Sequence, residues 1–378
     1  MLPQVTIHSI LDATGGYFMR FRPLGPSGVL VSELSVGGGR MVEDDAESTR
    51  VIHHAIAAGC NYFETATFYC DGRCQQKMGL GLAGYTDQVM VSVKQGIDAN
   101  TTAASYRKAI EAQFVTLGIN SADWLQVGWL TLEMLPKLIE KDGVLAAIHQ
   151  MMDEGIVRHI GFTGHDTPDN FSEILQAGIF ESMTVSYHLL NRSYEPTIAA
   201  ARERGVGVIV MNPVGGGILG TPSNTLHDLI PTGAVTSSAA LALRFVLANP
   251  GVSTACSGME TIAKVDENVA AVTEEMNDED QQHMLEVLDQ FRTLGERFCT
   301  GCRYCSPCPQ GVEIATCFHL YNLHTIYGLR EAAQQQYASM KPEQRADACI
   351  RCGECEAKCP NKLQVMEQLL AVQRLFDK

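Results

Sequence analysis

Over the first 275 residues, short apolar runs rich in β-branched side chains alternate with stretches whose apolar residues recur at three- and four-residue steps. The former read as buried strands and the latter as amphipathic helices, and their alternation is the pattern of repeated βα units around a parallel sheet. Eight strands are predicted: Leu34 to Val36, Cys60 to Glu64, Val89 to Val93, Trp124 to Gly128, His159 to Phe162, Met183 to Tyr187, Val206 to Met211 and Val252 to Cys256. Between the third and fourth, Tyr106, Ile110, Phe114 and Leu117 line one helix face, and Gly118 is placed as the left-handed residue that ends the helix. Eight such units in about 250 residues predict a closed (β/α)8 TIM barrel rather than an open doubly wound sheet. No GxGxxG follows the first strand, so the dinucleotide fingerprint of the open sheet is missing.

After the barrel pattern, the acidic stretch Glu274 to Asp280 leads into a predicted helix, Gln281 to Phe298. The chain therefore reads as a barrel over 1–275, a helical linker over 276–298 and a smaller, mainly helical domain over 299–378. A chain of 378 residues that is 46% hydrophobic can bury cores for one large and one small domain. Its net charge of -15 argues against nucleic acid and anionic membranes as partners, since both require clustered Lys and Arg. The N-terminus has no basic start followed by an apolar run, and no run approaches the ~18 uncharged apolar residues of a membrane span, so a cytoplasmic protein is expected.

Composition changes this picture at one point, the thirteen cysteines. Without a secretion signal a disulfide framework is not expected, and metal ligation is the first alternative. Eight of them form two runs: Cys299, Cys302, Cys305 and Cys308, then Cys349, Cys352, Cys355 and Cys359, each run ending in Cys-Pro. The second, CIRCGECEAKCP, has the spacing of bacterial [4Fe–4S] ferredoxins, in which three close thiolates reach one cubane and the fourth reaches its neighbour. The first, CTGCRYCSPCP, is one residue shorter before its last cysteine but keeps the three-plus-one arrangement. Paired zinc knuckles are the alternative, yet they use ligands in two pairs and gain nothing from a third evenly spaced cysteine. Two [4Fe–4S] clusters in a ferredoxin-like domain are therefore predicted, with Cys317 read as a buried thiol.

In a (β/α)8 barrel, reactive groups belong at the C-terminal ends of strands. GCNYFETATFYC puts Glu64 at the end of the second strand and Tyr69 five residues on, and VMVSVKQG puts Lys94 at the end of the third. A lysine beside a tyrosine favours the phenolate and lowers its pKa toward neutrality, while a carboxylate can hold the lysine. By themselves, a buried tyrosine and a paired lysine are more often structural than catalytic.

With these segments the sequence resembles the aldo-keto reductase superfamily over roughly residues 20 to 272. FRPLGPSGVLVSELSVGGGR looks like the family's opening, GCNYFETATFYC its Asp-and-Tyr motif and VSVKQG its lysine strand, and VRHIGFTGH, YHLLNRSYEP, GVGVIVMNPVGGGIL and KVDENV follow in family order. The cysteine-rich tail looks like that of a branch carrying a ferredoxin-like domain. The resemblance implies NAD(P)H-linked interconversion of carbonyls and alcohols, with Tyr69 as proton donor, Lys94 lowering its pKa and an acidic residue behind the lysine. It also implies departures. The family's aspartate is Glu64, its catalytic histidine falls on Gly128, the tyrosine that stacks on nicotinamide falls on Met211, and the amide-binding glutamine falls on Ser186.

Three residues could compensate: His165 after the fifth strand, His188 after the sixth, and Asn212 after the seventh. His188 is more simply a hydrogen-bonded loop residue. Gly215, Gly216 and Gly217 would let backbone approach a ligand or mark a mobile loop. For a dinucleotide, the resemblance implies Ser257, Gly258, Glu267 and Asn268 at the adenosine end, with Met211 and Asn212 toward the nicotinamide. The expected function is an oxidoreductase acting on a hydroxyl or carbonyl group of a small, sugar-like substrate. The clusters would pass single electrons to or from a redox partner such as a ferredoxin or flavoprotein; because hydride and one-electron chemistry do not couple directly, a flavin, a radical intermediate or a partner protein would have to stand between them. An acid/base lyase or isomerase with structural clusters, and an electron-transfer subunit with a non-catalytic barrel, are the alternatives.

Overall fold

The computed structural model describes residues 19–189, 191–220, 237–273, 279, 282, 286, 299, 305–325, 328, 330–359 and 362–377. Ten strands are described: β1 (Phe21–Pro23), β2 (Leu30–Ser32), β3 (Leu34–Gly37), β4 (Tyr62–Ala66), β5 (Met90–Gly96), β6 (Ala122–Gly128), β7 (Val157–Thr163), β8 (Ser182–Ser186), β9 (Gly207–Met211) and β10 (Thr254–Ser257). β3 to β10 form a closed parallel barrel in chain order, with β10 pairing back onto β3. All eight predicted strands are present, within a few residues of their expected bounds. The antiparallel β1–β2 hairpin is an addition.

Local signals explain several boundaries. The helix Asp45–Ala57 starts where the Asp44 carboxylate accepts from Glu47 N, and Ala103–Leu117 starts with a Thr102/Ser105 capping box. Gly118, at φ 68°, ends the latter as expected, and Tyr106, Ile110, Phe114 and Leu117 are its buried face. The hairpin closes the N-terminal end of the barrel. Ser253 Oγ donates to Pro23 O at 2.9 Å, Arg22 Nη1 donates to Val252 O at 2.8 Å, and Leu24 and Val31 pack against Tyr62, Trp124 and Ile209. The opposite end, where reactive groups belong, is left to the loops.

The chain divides into two compact units, one of Met1–Leu189, Ser193–Ile218 and Ala239–Glu275, the other of Leu190–Arg192, Leu219–Ser238 and Met276–Lys378. The linker helix expected over 276–298 lies almost entirely outside the described residues. Within the second unit, helices Ile314–Thr325, Arg330–Ser339 and Val365–Phe376 share a core of Leu320, Leu323, Leu369 and Val372, closed by Tyr337 stacked on Phe376 at 4.4 Å. The first two form an excursion that returns to its start, where Glu313 N donates to Gln344 O at 3.0 Å. Cys317 is fully buried in this core. No helix among the described residues is long and apolar enough to cross a membrane.

Candidate active site and cluster cradle

The β4–β5 register pairs Ala66 with Lys94 and Glu64 with Ser92, which sets the Glu64 and Lys94 side chains side by side inside the barrel. Lys94 Nζ lies 2.6 Å from Glu64 Oε1, both side chains being 3% exposed, and donates to Tyr69 Oη at 3.0 Å. Tyr69 belongs to the β4–helix loop, whose chain is folded back by Tyr69 O accepting from Gly72 N and Cys74 N. Cys70, Asp71 and Gly72 all take positive φ in that turn. Tyr69, Lys94 and Glu64 are therefore brought together as the sequence implied.

The electrostatics correct one expectation. Burial raises the Tyr69 pKa above its ordinary value of 10.0, and the Lys94 ammonium lowers it by less than burial raises it. Tyr69 is thus a neutral phenol in the resting site, a donor rather than a ready phenolate. Burial also works against the Lys94 charge, but Glu64 and then Tyr69 outweigh it and leave Lys94 above its ordinary value. The second carboxylate oxygen, Glu64 Oε2, is buried with no hydrogen-bond partner among the described residues, and the Cys256 thiol lies 4.0 Å from Oε1.

His165 is half-buried beyond the end of β7, and burial followed by the Lys94 ammonium lowers its pKa below 6.5. It is a neutral imidazole at neutral pH. His188 is lowered to about 4 by burial, which suits a structural group better than a proton carrier. Gly128 ends β6 opposite Gly96 of β5. A Cβ there would lie 3.3 Å from Gly96 N, so backbone packs closely where the resemblance expects an imidazole.

At β10, Ser257 is buried and accepts from Asn268 Nδ2 at 3.1 Å, an arrangement that fixes the turn into the helix Ile262–Thr273, on which Glu267 also lies. Gly258 gives room to Arg40, whose side chain a Cβ at 258 would meet at 2.6 Å. Arg40 Nη2 donates to Gly216 O at 2.9 Å. Met211 ends β9 and Asn212 follows with φ 55°, a conformation asparagine tolerates. Gly216 and Gly217 have positive φ and open space where side chains would stand, leaving bare backbone beside the Arg40 guanidinium. This combination of bare backbone, a cation and a fixed serine fits a dinucleotide phosphate chain. The Arg40 contribution was not legible in the sequence.

In the second unit, a shallow hollow is lined by Cys305 and Cys308 of the first run and by Cys349, Cys352 and Cys355 of the second. Ile314, Ile350, Met366 and Leu369 make most of the rest of its wall, with Gln310 as a polar member. Several thiols in an apolar wall match the donor set of an iron–sulfur cubane. Cys359 is buried and Cys299 half-buried, while Cys302 lies outside the described residues.

The model of the aldo/keto reductase family matches residues 33–289. The chain belongs to the aldo/keto reductase family. A 4Fe-4S dicluster domain matches residues 298–364. Among curated relatives, the L-galactose dehydrogenase of Arabidopsis thaliana is 28% identical over 306 residues, covering 71% of this chain and 93% of that protein. The NADH-specific methylglyoxal reductase of Escherichia coli is 24% identical over 327 residues, covering 72% and 99%. A solved aldo-keto reductase of Bacillus halodurans in its holo form superposes with a TM-score of 0.62 at 25% identity, covering 71% of this chain and 96% of that one. The protein is an oxidoreductase of this family, built as a barrel with a 4Fe-4S domain after it.

Proposed function

We propose that the protein interconverts a hydroxyl and a carbonyl group on a small, sugar-like substrate, with electrons passing through two [4Fe–4S] clusters. The observation that carries this reading is the buried chain Glu64, Lys94 and Tyr69, which ends in a neutral phenol at the barrel mouth. In the reducing direction, Tyr69 Oη delivers its proton to the substrate oxygen, and Lys94 stabilises the phenolate left behind. Glu64 holds the lysine charged and in place. His165, as a neutral imidazole, donates a hydrogen bond to the same oxygen and takes over the polarising role that Gly128 lacks. The names of the sugar dehydrogenase and the methylglyoxal reductase support a small oxygenated substrate.

Ser257, Gly258, Glu267, Asn268, Met211 and Asn212 would hold NAD(P), with Arg40 against its phosphates. The nicotinamide, when bound, supplies or accepts a hydride. For the clusters, Cys349, Cys352 and Cys355 with Cys308 would hold one, and Cys299, Cys302 and Cys305 with Cys359 the other. A ferredoxin or flavoprotein is the redox partner that such clusters require.

The test uses anaerobically purified protein. NADH or NADPH is added with a catalytic amount of free flavin, which passes electrons on one at a time, while the visible cluster absorption is followed, and aldoses including L-galactose are assayed for oxidation. Bleaching by the nucleotide together with sugar turnover is the expected result. Nucleotide binding without bleaching, and without redox turnover of any aldose, would overturn the reading in favour of acid/base chemistry with structural clusters.

A further inference from the structure

Of the thirteen cysteines, eight stand in the two runs, and the remaining five are Cys60, Cys70, Cys74, Cys256 and Cys317. Four of these are buried, and Cys70 alone is half-buried, in the turn directly after Tyr69. Cys74 opens the helix Cys74–Leu82 that follows this turn. Its thiol is fully buried, 3.1 Å from Thr65 Oγ1. The turn therefore carries one thiol that a small reagent can reach and a second that it cannot.

Gly38 brings the two sulfurs together. Cys70 Sγ donates to Gly38 O at 3.4 Å and accepts from Met41 N at 3.4 Å. A Cβ on Gly38 would stand 2.5 Å from Cys74 Sγ, so this thiol fills the space that the missing side chain leaves. Burial pushes the Cys74 thiol up to about 12; the Thr65 hydrogen bond works against this, and the Cys70 thiol adds to it, an influence that only a near neighbour exerts. Between the two, Cys70 at φ 51°, Asp71 at 53° and Gly72 at 84° are consecutive left-handed residues, a conformation that cysteine adopts only where its surroundings hold it.

We propose that Cys70 and Cys74 are a redox modification site, oxidised to a disulfide by a low-molecular-weight disulfide, and that this oxidation withdraws Tyr69 from Lys94. Cys70 loses its proton and attacks one sulfur of the small disulfide, displacing the first thiol and leaving a mixed disulfide. Cys74 then loses its proton and attacks the Cys70 sulfur, displacing the second thiol. The pair gives up two electrons and two protons, and the small disulfide becomes two thiols. Bonding distance between the sulfurs requires Cys70 Sγ to leave Gly38 and Met41. Tyr69 is bonded to Cys70, and its carbonyl accepts from Gly72 N and Cys74 N within the same turn, so the movement carries Tyr69 Oη off its 3.0 Å contact with Lys94 Nζ. Disulfides of this exposed, strained kind are reversible and suit redox sensing. The consequence for turnover rests on the oxidoreductase reading, whereas the thiol chemistry stands apart from it.

Anaerobic holoprotein is treated with oxidised glutathione, capped with iodoacetamide and digested with trypsin. Arg73 lies between the two cysteines, so their disulfide appears as two peptides held together, with fragmentation separating Cys70 from Cys60 on the same peptide. That linked pair is expected, and Cys70→Ser should abolish it while Cys74→Ala stops at glutathione on Cys70. Turnover should fall about tenfold or more, since small misplacements of a reacting group are costly, and dithiothreitol should restore it. Cluster absorption should stay unchanged, hydrogen exchange over residues 66–78 should quicken, and turnover of Cys70→Ser should not respond. No linked pair, or a linked pair with unaltered hydrogen exchange, would overturn the proposal. A linked pair with quickened exchange, in a protein that turns over no substrate even when reduced, would overturn the oxidoreductase reading and leave the modification site standing.

Discussion

Lys94 Nζ lies 2.6 Å from Glu64 Oε1 in a part of the barrel where neither side chain exceeds 3% exposure. Removing one member of a buried pair leaves the other charge uncompensated, at a typical loss of about 3–5 kcal/mol. Glu64→Gln should therefore lower the unfolding midpoint of the barrel strongly, while Glu64→Asp, which keeps the charge on a shorter arm, should cost less. Because the Lys94 pKa is raised on folding, the pair's contribution is complete below pH 10.5 and fades as pH rises through the folded value. Thermal unfolding followed by circular dichroism at neutral pH checks the ranking.

Tyr69 sits half-buried at the mouth end of the same chain of contacts. Tyr69→Phe should preserve the fold and the cluster absorption yet reduce turnover on the order of 10²-fold or more, since the proton would have to come from solvent. Steady-state rates measured on anaerobic protein decide the point. An unchanged rate would move the chemistry to His165.

The direction of the Tyr69 shift adds a pH dependence. With its pKa raised above 10.0, the phenol is protonated throughout the neutral range. Reduction, which needs the phenol, should be flat between about pH 7 and 9, whereas oxidation, which needs the phenolate, should rise about tenfold per pH unit over that span. Lys94→Met removes the group that pulls the pKa down and should depress oxidation further. Rates in both directions across that range test the sign.

How much of this was legible in the sequence depended on whether the signal was local. The strands and the helix from Ala103 to Leu117 were readable because apolar periodicity and Gly118 are properties of neighbouring residues. The grouping of Glu64, Tyr69 and Lys94 followed from their places at strand ends. The net pKa of Tyr69 was not readable, because the sequence shows the neighbouring lysine but not the burial that outweighs it. Nor was the Arg40 contact with Gly216, 176 residues away.

Gly96 ends β5 in close contact with the Trp129 indole. Gly96→Ala would put a methyl group 2.8 Å from Trp129 Cε3, so the indole must leave the end of β5. Trp129 emission should shift and the barrel should lose about 1–3 kcal/mol through overpacking, with the Lys94–Tyr69 contact preserved. Fluorescence and denaturant unfolding of the variant measure both effects. Unaltered emission would mean that the indole does not depend on the glycine.

The last prediction concerns which thiols share a cluster. Cys308 lines the same hollow as Cys349, Cys352 and Cys355, and the Glu313–Gln344 hydrogen bond returns the second run beside the first. Ferredoxins with this spacing lend the cysteine before proline to the neighbouring cluster, and two such cubanes need about eight irons and eight sulfides per chain. Cys305 also lines the hollow, and a cluster closed by its own run would use it together with Cys308, so paired substitutions are needed to separate the two arrangements. If ligation is crossed, Cys308→Ser combined with Cys349→Ser damages one cluster only and leaves about four irons, whereas Cys308→Ser combined with Cys302→Ser damages both. If each run closes its own cluster, the two double variants exchange these results. Iron and sulfide analysis of anaerobically prepared protein, with electron paramagnetic resonance of the reduced state, reads the difference directly. Zinc in place of iron in the unsubstituted protein would remove the basis of both arrangements.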